Sequence, residues 1–137
     1  MSYLLDTNVI SELRKGERAD ANVIAWFAGI AEEEIFLSVL TIGEIRRGIE
    51  SVRRRDPDAA AVLDRWLARL SEAQGDRILS IDRAITEQWG RMNVPDPLPV
   101  VDGLLAATAR VLSLTLVTRN VADVNGTGVE LLDPFTR

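Results

Sequence analysis

The sequence contains no cysteine and no histidine among its 137 residues. The missing cysteine excludes a disulfide, a thiol nucleophile and a thiolate metal site. The missing histidine excludes a Ser-His-Asp triad and every histidine-ligated metal centre, and it removes the usual general base near neutral pH. Any chemistry must therefore come from carboxylates, hydroxyls, amides, arginines or a bound ion.

Long apolar runs and positive charge are also scarce. The apolar runs are far shorter than the ~20 residues of a membrane span, and the opening MSYLLD does not have the pattern of a signal peptide. We therefore expect a cytoplasmic protein without a membrane segment. The 21 acidic residues outnumber the 16 basic ones, which gives a net charge of −5, the opposite of a generic nucleic-acid binder. Only Lys15 is a lysine, so arginine supplies nearly every candidate for a phosphate contact.

Short apolar runs alternate with helical patterns along a chain whose length suits one domain, residues 1–137. This alternation predicts an α/β fold with a mainly parallel sheet of four or five strands covered on both faces. We predict strands at 3–5, 35–39, 78–81 and 114–118, with a fifth edge strand at 129–132. We predict helices from Thr7 to near Gly16, at 20–29, from Thr41 to the 53–55 arginines, at 57–73, from Asp82 through Trp89, and at 101–112.

Four acidic residues are predicted to meet at one edge of that sheet. Asp6 follows the first strand, and Glu44 lies in the first turn of the helix after the second. Asp102 lies in the first turn of the helix before the fourth strand, and Asp123 follows that strand. Such sheets bind ligands at the carboxyl ends of their strands.

An acidic cluster of this kind predicts a metal site. Carboxylates so close repel by about 4 kcal/mol per pair at ~4 Å and an effective dielectric near 20. They coexist if some are protonated or if a cation lies between them. An all-oxygen cluster suits Mg²⁺ or Mn²⁺, which can align a phosphodiester, generate hydroxide and stabilise the leaving oxygen.

Each acid also has a purely structural interpretation. Glu44 follows Thr41 by three residues, which is the spacing of a capping box. Asp102 lies where the helix macrodipole favours any acid, and Asp123 lies in the turn-rich segment NVADVNG. Asp6 has the position of a helix cap. Each signal is weak alone, and the shared edge is what favours the metal site.

Four segments carry a resemblance that extends over nearly the whole chain. They are LLDTNVISEL at 4–13, LSVLTIGEIRRGI at 37–49, VVDGLLAATARVLSLTLVTRN at 100–120 and LLDPF at 131–135. In order and spacing they resemble PIN-domain ribonucleases, especially VapC-type toxins of toxin–antitoxin pairs. The resemblance implies a PIN-like three-layer α/β/α sandwich and an endoribonuclease that depends on Mg²⁺, with Mn²⁺ as a substitute. It also implies a cognate antitoxin, an RNA substrate and a homodimer.

The resemblance also assigns roles to individual residues. Asp6, Glu44 and Asp102 match the three core acids, and Asp6 and Asp102 match the principal magnesium ligands. The family's T-R-D aspartate is replaced by Asn120, whereas relatives of the T-R-N-x-x-D type place the fourth acid at Asp123. Further polar positions match residues that orient the acids or a water, although capping and turn bonding would also explain them: Thr7, Asn8, Thr118 and Asn120.

Two surfaces are candidates for binding RNA or the antitoxin. Arg46, Arg47 and the arginines at 53–55 form either a phosphate-contacting rim or a solvated helix face. Arg119 contacts either the scissile phosphate or the antitoxin. Four apolar residues form either a groove for an antitoxin segment or part of the ordinary core: Ile10, Leu13, Trp26 and Phe27.

Other acidic-pocket functions fit the sequence less well. An aspartyl phosphatase needs D-x-D after the first strand, where this chain has Asp6-Thr7-Asn8. A phosphoacceptor receiver needs a lysine after a late strand, and the single lysine is Lys15. The remaining alternative is a catalytically silent PIN-like binding module, against which the intact acids argue.

Overall fold

The strands form one parallel sheet in the computed structural model, which describes residues 1–136. The sheet has five strands in the order β3-β2-β1-β4-β5, and every neighbouring pair is parallel. The predicted parallel sheet is thus confirmed, with the fifth strand at its edge. The strands are β1 (Tyr3–Leu5), β2 (Ile35–Ser38), β3 (Ile78–Leu79), β4 (Thr115–Val117) and β5 (Leu131–Leu132).

Seven α-helices connect or follow these strands within residues 1–136. No helix in that range is long and apolar enough to cross a membrane. The predicted helix from Thr7 ends at Leu13 rather than near Gly16, where a short 3-10 helix follows. The helices are α1 (Thr7–Leu13), α2 (Ala21–Ala28), α3 (Val39–Arg53), α4 (Pro57–Gln74), α5 (Arg83–Met92), α6 (Val100–Leu112) and α7 (Val121–Val124).

Successive side chains of a strand point to opposite faces of the sheet, and each face carries its own core. In β1, Tyr3 and Leu5 pack in the core that includes residues of α1, α3 and α4. Leu4 points to the opposite face and packs in the core that includes residues of α6. Since side chains alternate across a strand, a fully buried three-residue strand must serve both faces. The arrangement confirms the three-layer α/β/α sandwich.

The start of α3 differs from the prediction. Ser38, the last residue of β2, is the N-cap, and its hydroxyl accepts a hydrogen bond from the Leu40 N–H at 3.0 Å. The predicted start at Thr41 and its capping box with Glu44 are therefore wrong, because the strand passes into the helix without a loop. The Thr41 hydroxyl is buried and has no hydrogen-bond partner among residues 1–136.

Two other helix starts agree with their sequence signals. The Asp56 carboxylate accepts from the Ala59 N–H at 3.1 Å, and Pro57 occupies the first helical position of α4. The Asp82 carboxylate accepts from the Ile85 N–H at 2.9 Å at the start of α5. In both cases a side-chain oxygen satisfies a backbone donor that the first turn leaves unpaired.

Candidate active site

Asp6 is held at the carboxyl end of β1 by hydroxyl and backbone donors. Its Oδ1 accepts from the Thr7 N–H at 2.7 Å, and its Oδ2 accepts from the Thr118 hydroxyl at 2.7 Å. The Asn8 side-chain amide also lies within 3.4 Å of Oδ2. Asp6 is 5% exposed, and this burial raises the pKa of its carboxyl group. The hydrogen bonds from Thr118 and Thr7 lower the pKa and the charge of Glu44 raises it, but burial is the largest cause. Asp6 thus caps α1, as the structural interpretation expected, and also faces another acid.

Glu44 lies in the second turn of α3, not in the first turn as predicted. Because Ser38 supplies the cap, the Glu44 carboxylate does not cap its own helix. Its Oε1 instead accepts a hydrogen bond from the Thr7 hydroxyl. Thr7 therefore links the two acids, since its backbone donates to Asp6 and its side chain donates to Glu44.

Asp102 shows most clearly that the acids lie together. It occupies the first turn of α6, as predicted. Burial, followed by the charges of Asp6, Asp123 and Glu44 in that order, raises the pKa of Asp102 to about 6. A helix N-terminus would lower the pKa of an acid, so the macrodipole alone does not explain this side chain. Repulsion within the acidic cluster and burial outweigh the dipole.

Asp123 belongs to the short helix α7 rather than to the predicted loop. Its backbone N–H donates to the Asn120 carbonyl at 3.1 Å. Within the segment NVADVNG, residues Val121–Val124 therefore form a single helical turn. Asp123 is exposed, and its charge acts on Asp102. Asn120 is also exposed, and its N–H donates to the Thr118 hydroxyl at 3.0 Å.

The supporting polar residues connect the ends of β1 and β4. Thr118 is buried, accepts from Asn120 and donates to Asp6. The side-chain amide oxygen of Asn8, Oδ1, accepts from the Arg119 backbone N–H at 3.3 Å. These contacts hold the Asp6 carboxylate from the ends of two neighbouring strands.

Two residues of the predicted arginine rim are paired with acids. Arg46 and Arg53 form ion pairs with Asp64 at 2.6 and 2.7 Å and with Glu50 at 3.1 and 3.0 Å. These two arginines are therefore engaged by acids of α3 and α4. Arg47 is exposed. Separately, the Arg119 guanidinium lies 4.3 Å from the centroid of the Phe135 ring.

Sequence reasoning missed the role of Phe135 beneath Arg119. The signal for it is the closing LLDPF, in which Asp133 accepts from the Phe135 N–H at 2.9 Å and so fixes the turn. The Phe135 carbonyl accepts from the Asn22 side chain at 2.8 Å and ties this segment to α2. The contacts bring the closing segment to the edge of the sheet that carries the acids.

The donor chemistry of the cluster suits a hydrated divalent ion. No group of three or more acids within residues 1–136 is arranged so that it could hold a metal as it stands. Mg²⁺ does not need such a cage, because it binds through one or two carboxylates and keeps several waters. The raised pKa of Asp102 reports negative charge that its neighbours do not neutralise. One or two of the carboxylates of Asp6, Glu44 and Asp102, with water in the remaining positions, would be enough to hold such an ion.

Comparison with known proteins gives the family. The VapC ribonuclease Y4jK of Sinorhizobium fredii is 28% identical over 140 residues, which are 96% of this chain and 96% of that protein. Toxin FitB of Neisseria gonorrhoeae is 27% identical over 137 residues, with 96% and 97% covered. The crystal structure of FitAcB from Neisseria gonorrhoeae gives a TM-score of 0.90 at 28% identity, over 98% of this chain and 99% of that one. A family model described as the PIN domain matches residues 3–122. This chain therefore belongs to the PIN domain family.

Proposed function

We propose that this chain is an endoribonuclease that hydrolyses RNA phosphodiester bonds with a divalent metal ion. The observation that carries the proposal is that three acids from other segments, Asp6, Glu44 and Asp123, lie close enough to Asp102 for their charges to raise its pKa. The similarity to a VapC ribonuclease supports RNA as the substrate. The ion is Mg²⁺, with Mn²⁺ as a substitute, and Asp6, Glu44 and Asp102 would hold it. When bound, it supplies the positive charge that aligns the phosphodiester and activates water.

The protein's own residues prepare the carboxylates for this role. Thr118 and Thr7 hold the Asp6 carboxylate through one hydrogen bond to each oxygen. Thr7 also fixes Glu44, so the two acids keep a constant relative position. With a pKa of about 6, Asp102 is mostly ionised at pH 7 and is therefore available as a ligand. Asp123 or Asn120 completes the site on the side of β4.

We also propose that the protein is a toxin held in check by a cognate antitoxin. The similarity to toxin FitB supports this role. An apolar groove of about 370 Å³ would take an antitoxin segment, and it is lined by Ile10, Leu13 and Phe27 among others. Trp26, predicted for the same groove, instead packs edge-on against Tyr3 with ring centroids 5.4 Å apart. Two further features rest on the resemblance to VapC-type toxins: a homodimer of single-domain chains, and a cytoplasmic location, where RNA is found.

The test is cleavage of structured RNA with Mg²⁺ or Mn²⁺, followed by sequencing of the cleaved ends. Asp6→Asn and Asp102→Asn are expected to abolish cleavage. Asp96→Asn is the matched control, because Asp96 is an exposed aspartate of the loop before α6. Equal activity of the two site variants and the wild type would remove the proposed mechanism.

Metal binding separates the enzyme from a silent binding module. Calorimetric titration with Mn²⁺ is expected to show binding that Asp6→Asn weakens. If the wild type binds RNA or a protein partner but no metal, the chain is a catalytically silent PIN-like module instead. Growth arrest on expression, relieved by co-expression of the antitoxin gene, tests the toxin role separately.

A further inference from the structure

A cleft of about 240 Å³ opens directly from the acidic cluster on the Glu44 side. It runs between α1, α3 and α4, and Thr7 and Glu44 form part of its lining. Because both residues belong to the candidate active site, a ligand in this cleft would lie beside the acidic cluster. The lining used below consists of Ser11, Arg14, Gly48 and Trp66.

The cleft carries a cation and an aromatic ring in contact with each other. The Arg14 guanidinium carbon lies 5.8 Å from the centroid of the Trp66 ring. Arg14 is exposed, and within residues 1–136 no carboxylate is ion-paired with it. A guanidinium that lies beside a ring and has no carboxylate partner keeps its N–H groups available for a phosphate. Arg46 and Arg53 differ in this respect, because acids already neutralise them.

Gly48 keeps the cleft open. A β-carbon built at this residue of α3 meets no heavy atom within 4 Å. Gly48 is exposed, so a longer side chain there would enter the cleft rather than the core. Ser11 is also exposed and adds a hydroxyl from α1, one turn beyond Thr7.

We propose that this cleft binds the nucleotide adjacent to the scissile phosphate in an unpaired segment of RNA. The base stacks against the Arg14–Trp66 pair, and the free edge of Arg14 with the Ser11 hydroxyl contacts its phosphate. Stacking on aromatic rings and guanidinium planes requires a base that is not paired within a duplex, so the substrate class is single-stranded RNA or a loop. The inference rests on the proposed ribonuclease function and adds a binding site to it.

The experiment uses nucleotides that contain no internucleotide bond to cleave. Uridine and adenosine 3′,5′-bisphosphates are titrated into the full chain with Mg²⁺, and binding is followed by calorimetry and by tryptophan fluorescence. Gly48→Leu fills the cleft, and Arg14→Gln removes its charge. Each is expected to weaken binding about tenfold and to raise KM for a single-stranded RNA more than it lowers kcat. Arg14→Gln should also reduce the slope of log affinity for that RNA against log salt by about 0.7, the value for one phosphate contact.

Matched controls come from the same chain. Gly90→Leu places leucine at another helical glycine whose β-carbon would meet nothing within 4 Å, and Arg18→Gln removes another exposed arginine. Both controls are expected to bind within twofold of the wild type. Thermal midpoints of all four variants show whether Gly48→Leu folds, and Arg14→Gln tests the cleft without filling it.

The outcomes separate this site from the ribonuclease function. Unchanged bisphosphate binding in both Gly48→Leu and Arg14→Gln overturns the inference. A wild type that cleaves RNA but binds neither bisphosphate overturns the inference while the ribonuclease function stands. A wild type that cleaves no RNA, with bisphosphate binding lost in both variants, supports the site and removes the proposed function. Since Arg14 and Trp66 also line the apolar groove, loss of antitoxin binding with unchanged nucleotide binding would assign the cleft to the protein partner and overturn the inference.

Discussion

Asp102→Asn is expected to stabilise the metal-free protein at neutral pH. Burial and the charges of Asp6, Asp123 and Glu44 raise the pKa of Asp102 in the folded state from its usual 3.8 to about 6. The fold therefore favours the protonated carboxyl group. The contribution of Asp102 to stability is fully present below pH 3.8 and is lost as the pH rises through about 6. At pH 7 the ionised side chain opposes folding, and an uncharged amide of similar shape does not.

The size of this effect follows from the pKa. The rise from 3.8 to about 6 sets an upper limit of about 3 kcal/mol, at 1.36 kcal/mol per pKa unit. Asp102 is only half-buried, so solvent screens much of the interaction and we expect about 1 kcal/mol. For a chain of 137 residues this corresponds to an increase of roughly 3–5 °C in the thermal midpoint.

The assay is thermal unfolding by circular dichroism at low salt, with a chelator present, between pH 4 and pH 7. Asp58→Asn is the matched control, because Asp58 is an exposed acid in the first turn of α4. Its loss removes a favourable interaction with the helix dipole and should lower the midpoint slightly. The Asp102→Asn gain should shrink as the pH falls. A midpoint that is unchanged or lowered at pH 7 would refute the claim that the acids repel one another.

Three further predictions follow from single contacts. Gly48→Ala is expected to raise the free energy of unfolding by about 0.5–1 kcal/mol, whereas Gly103→Ala should lack this gain because its new methyl meets the Trp89 ring at 3.1 and 3.2 Å. Equal gains in urea unfolding would contradict that close approach. Thr118→Val removes the 2.7 Å hydrogen bond to buried Asp6 and is expected to destabilise the fold by about 1–3 kcal/mol at pH 7. Urea unfolding measures this loss, and an unchanged midpoint would show that the bond is not formed. Added Mg²⁺ should raise the thermal midpoint of the wild type, and Asp6→Asn should abolish this rise. Equal rises in the two proteins would remove Asp6 from the proposed metal site.

The fold could be predicted from the sequence where one local signal was unopposed. The strand at Tyr3–Leu5 and the Asp56–Pro57 start of α4 agree with the structure because buried apolar runs and an N-cap followed by proline have few alternatives. The start of α3 could not be predicted in this way, because Ser38 and Thr41 are both good caps. The choice depends on where β2 ends against its neighbours, which is a tertiary constraint.

The candidate site was predictable in its acids but less so in its arginines. Topology places Asp6 and Asp102 at the same edge whatever their side-chain contacts, because parallel strands share their carboxyl ends. Whether Arg46 faces a substrate or an acid depends instead on a contact between two helices. The structure places Asp64 of α4 opposite Arg46, at 2.6 Å, and nothing local to α3 predicts that.

The distribution of ion pairs argues that the acidic cluster serves a ligand rather than the fold. The chain has 16 basic residues, and Asp64 and Glu50 are both paired with arginine. Within residues 1–136, neither Asp6 nor Asp102 takes part in a salt bridge. The pKa values of both are raised, as expected for acids without a cationic partner. A fold optimised for stability alone would place an arginine beside them or replace one acid with an amide. Several unfavourable features at one edge of a sheet, here buried and unpaired acids, are typical of a functional site. A cation from solution would relieve the repulsion among all of these acids.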